Sequence, residues 1–376
     1  MSEFSCPVVK IEFLKPVPNS DALEMTTVFE TNVIVRKGQL KVGDLAVYIP
    51  LDALVPMSKP QFQGLGIKSE KELYRVKAVR LRGTYSEGLL VPYQGPLRAT
   101  NNIGDIALTV GQDMAEAWGI AKYEEAERPA SIFGTTKSEA AKDITWAPKY
   151  NVESILRNRE AIPENTQVVV TEKIHGCNAR YAYGPDVDGT VRLHVGSHNT
   201  WRRPIHSESK FVLKLKNLVN RVFGPVWKTS EPANDDVWWT IAKRLDLAAK
   251  LAKFPKFVVY GEVYGKVQDL QYGVDGVEFR VFDVYDAGRK EWLSWVQVQS
   301  FALAAGLQVV PPLYTGPYIR ETVDQLRFGK SALDGKTLRE GFVIRPLVLL
   351  DPKDKSAYKY VSEDYKLRKG NTTEFH

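Results

Sequence analysis

The first 120 or so residues are a series of short runs rich in β-branched and aromatic residues, and this feature limits the possible folds most. DLAVYIP and EGLLVPY are typical of these runs, and each is bounded by Gly, Pro, Asn or Asp. Such runs predict β-strands, and the residues between them predict turns. Several short strands at this spacing favour a small closed barrel over a sheet with helical crossovers. The stretch GQDMAEAWGIAKYEEAE then predicts a short helix that closes the module.

The region from about residue 144 onward has a different pattern, in which apolar runs are interleaved with helical patterns. Because the two do not alternate strictly, an α+β domain with antiparallel sheets is favoured over a doubly wound sheet. The predicted strands are 166–174, 177–183, 190–197, 257–263, 277–285, 340–345 and 356–361. The predicted helices are 208–222, 236–253 and 295–305.

A polar, unpatterned stretch separates the two regions and predicts a linker. We therefore expect an OB-like nucleic-acid-binding domain at 1–126, a linker at 127–143 and a second domain at 144–376. A five-stranded OB-type barrel fits the length of the first domain and would suit single-stranded or duplex nucleic acid. Two domains also agree with a length of 376 residues, which exceeds what one hydrophobic core usually organises.

The composition excludes several classes of protein. Two cysteines, Cys6 and Cys177, exclude a disulfide framework and a cysteine-based zinc site. No apolar run approaches the roughly 20 residues of a membrane span. The N-terminal stretch MSEFSCPVVKIEF lacks the apolar core of a signal peptide. We expect a soluble, intracellular monomer. Its net charge of +6 and pI near 9.0 favour a polyanionic partner.

Several common nucleotide and catalytic motifs are absent or incomplete in the sequence. GKSAL at Gly329 ends like a P-loop, but Asp324 stands where the first glycine is needed. No G-x-G-x-x-G follows a predicted strand, and there is no G-x-S-x-G elbow. His194 and His198 could share a strand face, but no third zinc ligand accompanies them.

What remains is an ordered set of polar residues at or within the strands of the second domain. Lys173 is the last residue of VVVTEK, and Glu262 follows VVYG. Phe282 and Asp283 lie within FRVFDVYD. The other members of the set are Glu340 and Lys359. A single lysine or glutamate at a strand end usually just reaches solvent. Only the whole set, in its order along the chain, indicates a functional site.

The set resembles the nucleotidyltransferase core of ATP-dependent polynucleotide ligases, and of RNA ligases in particular. Their nucleophile motif, K-x-D/H-G, is matched by KIHG at Lys173–Gly176, and the HGxN continuation ending at Asn178 is typical of RNA ligases. YGE, FDVYD, EGFVIR and YKYV match their later motifs in order. The stretch LRGTYSEGLLVP resembles the OB domain of one branch, which seals nicks with a 3′-OH RNA end.

The resemblance implies an ATP-grasp-like domain and a three-step reaction. Lys173 would become AMP-lysine, AMP would move to a 5′-phosphate end, and a 3′-OH would displace it. The implied partner is RNA or an RNA-containing duplex, and the implied cofactors are ATP and Mg²⁺ or Mn²⁺. The implied catalytic residues are Lys173, Glu262, Glu340 and Lys359, with Glu262 and Glu340 as metal ligands. The implied nucleotide-binding residues are Lys149, Glu172, Ile174, His175, Gly176, Asn178, Ser197 and Phe282.

The chemistry explains these residue types. Only an unprotonated amine attacks phosphorus, and burial and a nearby cation such as Lys359 lower the pKa of a lysine. We therefore expect no acidic partner for Lys173 within KIHG, and Glu172 should point to the opposite face of its strand. Gly176 would let the backbone approach the nucleotide, and Phe282 would offer adenine a stacking face. Candidates for phosphate contacts on the polynucleotide are Lys149, Lys210, Lys214, Lys216 and Arg221.

Two departures from the family pattern stand out. Its last motif usually has two lysines one residue apart, whereas Lys359 is flanked at those places by Ala357 and Val361. Lys366 is one candidate replacement. The motif near VGSHNTWRR often has Arg or Lys after the serine, where this chain has His198, and Arg202 or Arg203 could substitute.

Two alternatives remain open. A DNA ligase or capping guanylyltransferase shares the lysine chemistry, but HGxN argues against both. The other alternative is a non-catalytic OB-containing nucleic-acid binder with a degenerate nucleotide pocket. The missing second lysine is compatible with this alternative.

Overall fold

The computed structural model describes residues 4–63, 65, 67, 72–93, 108–123, 144–203, 236–349 and 351–368. The chain divides into two compact units. The first comprises Met1–Glu125 together with Glu363–Thr373, and the second comprises Ala126–Ser362 with Glu374–His376. In the described ranges, no helix has the length and apolar character needed to cross a membrane.

The first unit is built from short antiparallel strands around two apolar clusters. Its strands are β1 (Val8–Lys10), β2 (Lys15–Pro16), β3 (Leu23–Val28), β4 (Thr31–Arg36), β5 (Leu45–Ile49), β6 (Ala53–Pro56), β7 (Leu73–Arg75), β8 (Val79–Leu81), β9 (Thr84–Ser86), β10 (Leu89–Pro92) and β11 (Ala121–Lys122). They form the sheets β1-β5-β10, β11-β6-β7 and β2-β3-β4 and the pair β8-β9. Apolar residues of β1, β4, β5, β6 and β10 fill these clusters, whereas Leu73 of β7 and Val79 and Leu81 of β8 are exposed.

The helix predicted at GQDMAEAWGIAKYEEAE is wrong for the part that the structure describes, up to residue 123. The chain makes a single turn, in which the Trp118 amide donates to the Met114 carbonyl. Gly119 then adopts a φ of 63°. That left-handed conformation ends a helix, so the apolar residues here fill the core from a turn instead.

The second unit contains two sheets. Its strands are β12 (Glu153–Ser154), β13 (Gln167–Lys173), β14 (Cys177–Pro185), β15 (Val191–Ser197), β16 (Trp201–Arg202), β17 (Phe257–Gly265), β18 (Val277–Asp286), β19 (Glu291–Trp292), β20 (Pro312–Pro317), β21 (Gly341–Pro346) and β22 (Tyr358–Val361). The six-stranded sheet has the order β16-β15-β14-β17-β18-β19, and the five-stranded sheet has the order β12-β22-β21-β13-β20. All pairs are antiparallel except β12 with β22.

Four α-helices of the described ranges accompany these strands, α1 (Val237–Arg244), α2 (Leu247–Leu251), α3 (Trp295–Ala304) and α4 (Arg320–Gln325), and a fifth, α5 (Glu363–Leu367), follows β22. The first three pack on one face of the six-stranded sheet and form the largest apolar cluster with it. The helix predicted at 236–253 is divided in two, because Asp246 adopts a φ of 50°. The helix predicted at 208–222 lies outside the described residues, as does the linker at 127–143.

Helix α5 belongs to the first unit, although the sequence assigned everything after residue 144 to the second domain. Tyr365 on α5 is buried, and the Lys366 ammonium donates to the Glu87 carboxylate at 2.6 Å. Lys366, a candidate for the missing phosphate contact, is therefore held in an ion pair within the first unit.

Candidate active site

The registry of β13 and β21 places Lys173 beside Glu340. Lys173 pairs with Gly341 across the ladder, so Glu340, one residue earlier, lies at the same end of the sheet. The Lys173 ammonium donates a hydrogen bond to Glu340 Oε1. The lysine side chain is 22% exposed, whereas the glutamate side chain is 2% exposed. Solvent therefore reaches this ion pair from the side of Lys173.

This ion pair gives Lys173 an acidic partner that the residues around it in sequence did not indicate. None lies within KIHG, as predicted, but Glu340 approaches from 167 residues downstream. A carboxylate bonded to an ammonium favours the charged form. In the conformation described here the amine is bonded to Glu340, and attack on phosphorus requires this contact to change.

Glu262 joins the pair from the six-stranded sheet. It lies in β17, where it pairs with Asn178 of β14. Burial raises the pKa of Glu262 to about 8, an effect that Lys173 opposes and Glu340 reinforces. The Asn178 side-chain oxygen is also buried and has no hydrogen-bond partner. The buried Glu340, the half-buried Glu262, a lysine and an unpartnered amide oxygen thus come together from two sheets.

The two carboxylates are hard oxygen donors of the kind that Mg²⁺ and Mn²⁺ prefer. In the part of the chain that the structure describes, no group of three His, Cys, Asp or Glu side chains is arranged to hold a metal ion. Mg²⁺ is usually held by one or two carboxylates, with water and substrate phosphates completing its shell. Glu262 and Glu340 therefore fit such an ion if a nucleotide supplies further ligands.

The turn between β13 and β14 contains His175 and Gly176. A Cβ at Gly176 would overlap the carbonyl oxygen of Val263 in β17. The close approach to β17 therefore already requires glycine here. The His175 side chain is 4% exposed, and its Nε2 lies 2.7 Å from Asp269 Oδ1.

Lys359 lies on the same face of its sheet as Lys173. It pairs with Val343, which in turn pairs with Thr171, and directly paired residues point to the same side. Val361, at one of the two places where the second lysine is expected, pairs with Gly341 and so lies in the same row as Lys173. At this place, the departure from the family pattern therefore falls in the row of Lys173.

A family model described as RNA ligase matches residues 166–361, just over half of the chain. This chain belongs to the RNA ligase family. A second model, described as an OB-fold domain, matches residues 6–93. The resemblance noted from the motifs is thus confirmed. So is the α+β architecture, with an N-terminal OB-fold and a nucleotidyltransferase-like domain of antiparallel sheets.

Solved structures of an RNA ligase from Naegleria gruberi resemble this RNA ligase over nearly its whole length. Two variants of that ligase, one with ATP and manganese and one with AMP and manganese, give TM-scores of 0.73 and 0.72. The complex with pyrophosphate gives 0.72. Each is 21% identical, and the alignments cover 96–97% of this chain and 98% of that chain. At this identity the similarity shows the fold. No curated protein matches this chain.

The remaining residues predicted for nucleotide binding in this RNA ligase have varied surroundings. Glu172 points away from Lys173, as predicted, and its buried carboxylate accepts the Ala332 amide at 2.6 Å. Ile174 belongs to the largest apolar cluster. The Ser197 hydroxyl accepts the Thr200 amide at 3.2 Å. These contacts give all three residues structural roles.

Phe282 and Lys149 lie near a common aromatic residue. Phe282 is half-buried, and its ring centroid is 4.8 Å from that of Tyr150. Lys149 precedes Tyr150 in sequence and is exposed. Lys210, Lys214, Lys216 and Arg221 lie outside the described residues.

Sequence reasoning missed the segment that follows β17 in this RNA ligase. Gln268, Asp269 and Tyr272 all contact the turn that contains His175 and Gly176. Their polar side chains come after a strand, where solvent-facing loop residues are the usual expectation. The one indication in the sequence was the concentration of hydrogen-bonding side chains in KVQDLQY, which follows YGEVYG.

Proposed function

We propose that this chain is an ATP-dependent RNA ligase that joins 3′-OH and 5′-phosphate ends at nicks in duplexes. The observation that carries the proposal is the meeting of three side chains from two sheets: Lys173 at the end of β13, Glu340 directly before β21, and Glu262 within β17. The amine is a nucleophile for the α-phosphate, and the two carboxylates suit a divalent cation. The Naegleria complexes with ATP, AMP and pyrophosphate support the choice of nucleotide.

In the first step, Lys173 Nζ forms a bond to the α-phosphorus, and the bond to the bridging oxygen of pyrophosphate breaks. Nζ loses a proton on the way, and its contact with Glu340 opens. AMP is then passed to a 5′-phosphate, which leaves an adenylylated 5′ end. In the last step the 3′-OH displaces AMP, and the new phosphodiester forms.

Glu262 and Glu340 are the proposed ligands for Mg²⁺ or Mn²⁺, which supplies neutralisation of the phosphate charge when bound. The metal ion and Lys173 then compete for Glu340, because its Oε1 is bonded to Lys173 in the conformation described. Lys359, on the same sheet face, is placed to offset negative charge on the nucleotide. Phe282 offers the adenine a partly exposed ring.

The OB unit is the proposed holder of the RNA-containing duplex that flanks the nick. OB-folds bind nucleic acid through a strand face and its adjoining loops. The net charge of +6 agrees with a polyanionic substrate. A single chain contains both proposed functions, so we propose that the monomer is active.

The experiment is an intact-mass measurement after incubation with ATP and Mg²⁺, followed by peptide mapping. We expect a gain of one AMP on the peptide that contains Lys173, and none in Lys173→Ala. Lys253→Ala, which removes an exposed lysine, is the matched control and should accept AMP normally. Sealing of nicked duplexes with RNA or DNA at the 3′-OH side then tests the substrate.

Other outcomes would select the alternatives. An adduct with GTP and not with ATP would indicate capping chemistry, and equal sealing of all-DNA nicks would indicate a DNA ligase. Failure of both nucleotides to attach, in a chain not already adenylylated, would favour a nucleic-acid binder. The missing second lysine, with Ala357 and Val361 at the two possible places, is the observation that favours this last alternative.

A further inference from the structure

Three hydrogen bonds join the segment Gln268–Tyr272 to the turn that follows Lys173. Gln268 Nε2 donates to the Gly176 carbonyl at 2.5 Å. The His175 amide donates to the Tyr272 hydroxyl at 2.7 Å. Asp269 Oδ1 lies 2.7 Å from His175 Nε2. The first two bonds involve the backbone of the turn and would form with other side chains at 175, whereas the third depends on the imidazole.

The contact with Asp269 determines how the His175 ring is oriented. An ionised carboxylate only accepts hydrogen bonds, so the hydrogen of this contact is on Nε2. The opposite ring nitrogen, Nδ1, lies 3.8 Å from Glu340 Oε2. The other oxygen of Glu340 is bonded to Lys173. The side chains thus form a row from Asp269 through His175 and Glu340 to Lys173.

Burial along this row decreases towards both ends. The side chains of His175 and Glu340 are 4% and 2% exposed, while those of Asp269 and Lys173 are 41% and 22% exposed. A buried imidazole can flip about its ring axis unless a partner distinguishes its two nitrogens. A carboxylate on Nε2 is such a partner, and it is the usual way in which proteins fix a functional histidine.

We propose that Asp269 is a positioning residue for the transfer of AMP to Lys173. It holds the His175 ring against the Glu340 carboxylate, with Nδ1 3.8 Å from Oε2, and this packing limits where Glu340 can meet Lys173. The inference rests on the proposed function and deepens it. It also accounts for the histidine at a position where aspartate is the other residue of the K-x-D/H-G motif. A carboxylate there would need no partner to orient it, whereas an imidazole does.

The test measures the single-turnover rate of lysyl-AMP formation and the ATP concentration at half-maximal rate, in the full-length chain. We expect Asp269→Asn to lower the rate constant by roughly ten- to hundredfold, as for other carboxylates that orient a functional histidine. The half-saturating ATP concentration should stay unchanged, and Asp269→Glu should restore part of the rate. An unchanged rate in Asp269→Asn would overturn the inference.

The same substitution in a His175→Asp variant shows whether Asp269 orients the His175 ring or only attaches the segment Gln268–Tyr272 to the turn. In His175→Asp the residue at 175 is itself a carboxylate, which Asp269 would repel. Adding Asp269→Asn to His175→Asp should therefore leave the rate unchanged or raise it. An equal loss in both backgrounds would mean that Asp269 only fastens the segment to the turn, and would overturn the inference.

A spectroscopic measurement without ATP makes the test independent of catalysis. In protein labelled with ¹⁵N-histidine, one of the five histidines should show a hydrogen on Nε2 that Asp269→Asn alters and His175→Gln removes. A hydrogen on Nδ1 alone at His175 would overturn the inference. A wild-type chain that takes up no AMP would overturn the proposed function, and this measurement would still decide whether Asp269 orients the His175 ring.

Discussion

Arg345 and Asp283 form an ion pair in which neither side chain is more than 2% exposed. Arg345 lies in β21 of the five-stranded sheet, and Asp283 lies in β18 of the six-stranded sheet. Arg345 also donates to the Phe282 carbonyl at 2.9 Å, and the Tyr150 hydroxyl donates to the Asp283 carboxylate at 3.0 Å. The pair therefore fastens together the two sheets that supply the candidate active site.

Removing one member of this pair should destabilise the second unit strongly. Arg345→Met leaves the Asp283 carboxylate buried without its cation, a change that typically costs about 3–5 kcal/mol. Urea unfolding measures the loss. The double variant Arg345→Met with Asp283→Leu should recover much of it, because no charge is then left buried. Equal stability of the single variant and the wild type would contradict the prediction.

Gly341→Ala should impair both stability and AMP uptake. A Cβ at this position would overlap the carbonyl oxygen of Tyr360, so β22 with Lys359 must move away from β21. Overpacking of this kind usually costs about 1–3 kcal/mol. Thermal unfolding and the AMP-adduct assay are the measurements. Gly288→Ala, in an exposed turn, is the control and should leave both nearly unchanged.

Lys359→Ala should reduce AMP transfer by about a hundredfold, the usual order for one group that stabilises developing charge. Its side chain is half-buried on the face of the sheet that Lys173 shares. The fold should be retained, and circular dichroism checks this. Lys253→Ala is again the control. A normal single-turnover rate in Lys359→Ala would remove this residue from the site.

Glu262 should make the metal-free protein less stable as the pH rises. Its pKa is about 8 in the folded chain against an ordinary value of 4.5, so the unfolded chain releases this proton first. Stability therefore falls between these two pH values, by at most about 1.4 kcal/mol per pH unit. Glu262→Gln lacks this proton. In EDTA, its stability relative to the wild type should rise across that window, and parallel pH profiles would contradict the assignment.

The strands around the site could be predicted because β-branched runs and turn residues specify them locally. The same pattern placed Lys173 at the end of β13, whereas β17 continues past Glu262 to Gly265. Long-range pairing could not be predicted in this way. Nothing near Lys173 in sequence indicates Glu340, which reaches it only through the registry of β13 with β21.

The other differences arise where a single residue or a tertiary contact overrides the local pattern. Gly119 and Asp246 adopt left-handed backbone conformations and interrupt predicted helices. Arg345 looks like an ordinary charged residue in a strand, and only the opposing Asp283 explains its burial. Asp269 also looks like an ordinary loop residue in the sequence, and only the fold brings it to His175.

The placement of α5 has a consequence for synthesis on the ribosome. The first unit includes residues on both sides of the second, and the Glu87 carboxylate meets Lys366 only after almost the whole chain has emerged. Domains usually complete folding in the order in which they are made. The N-terminal barrel therefore cannot complete its folding until the domain made after it has left the ribosome. Until then, the surface that Tyr365 and Lys366 cover stays exposed.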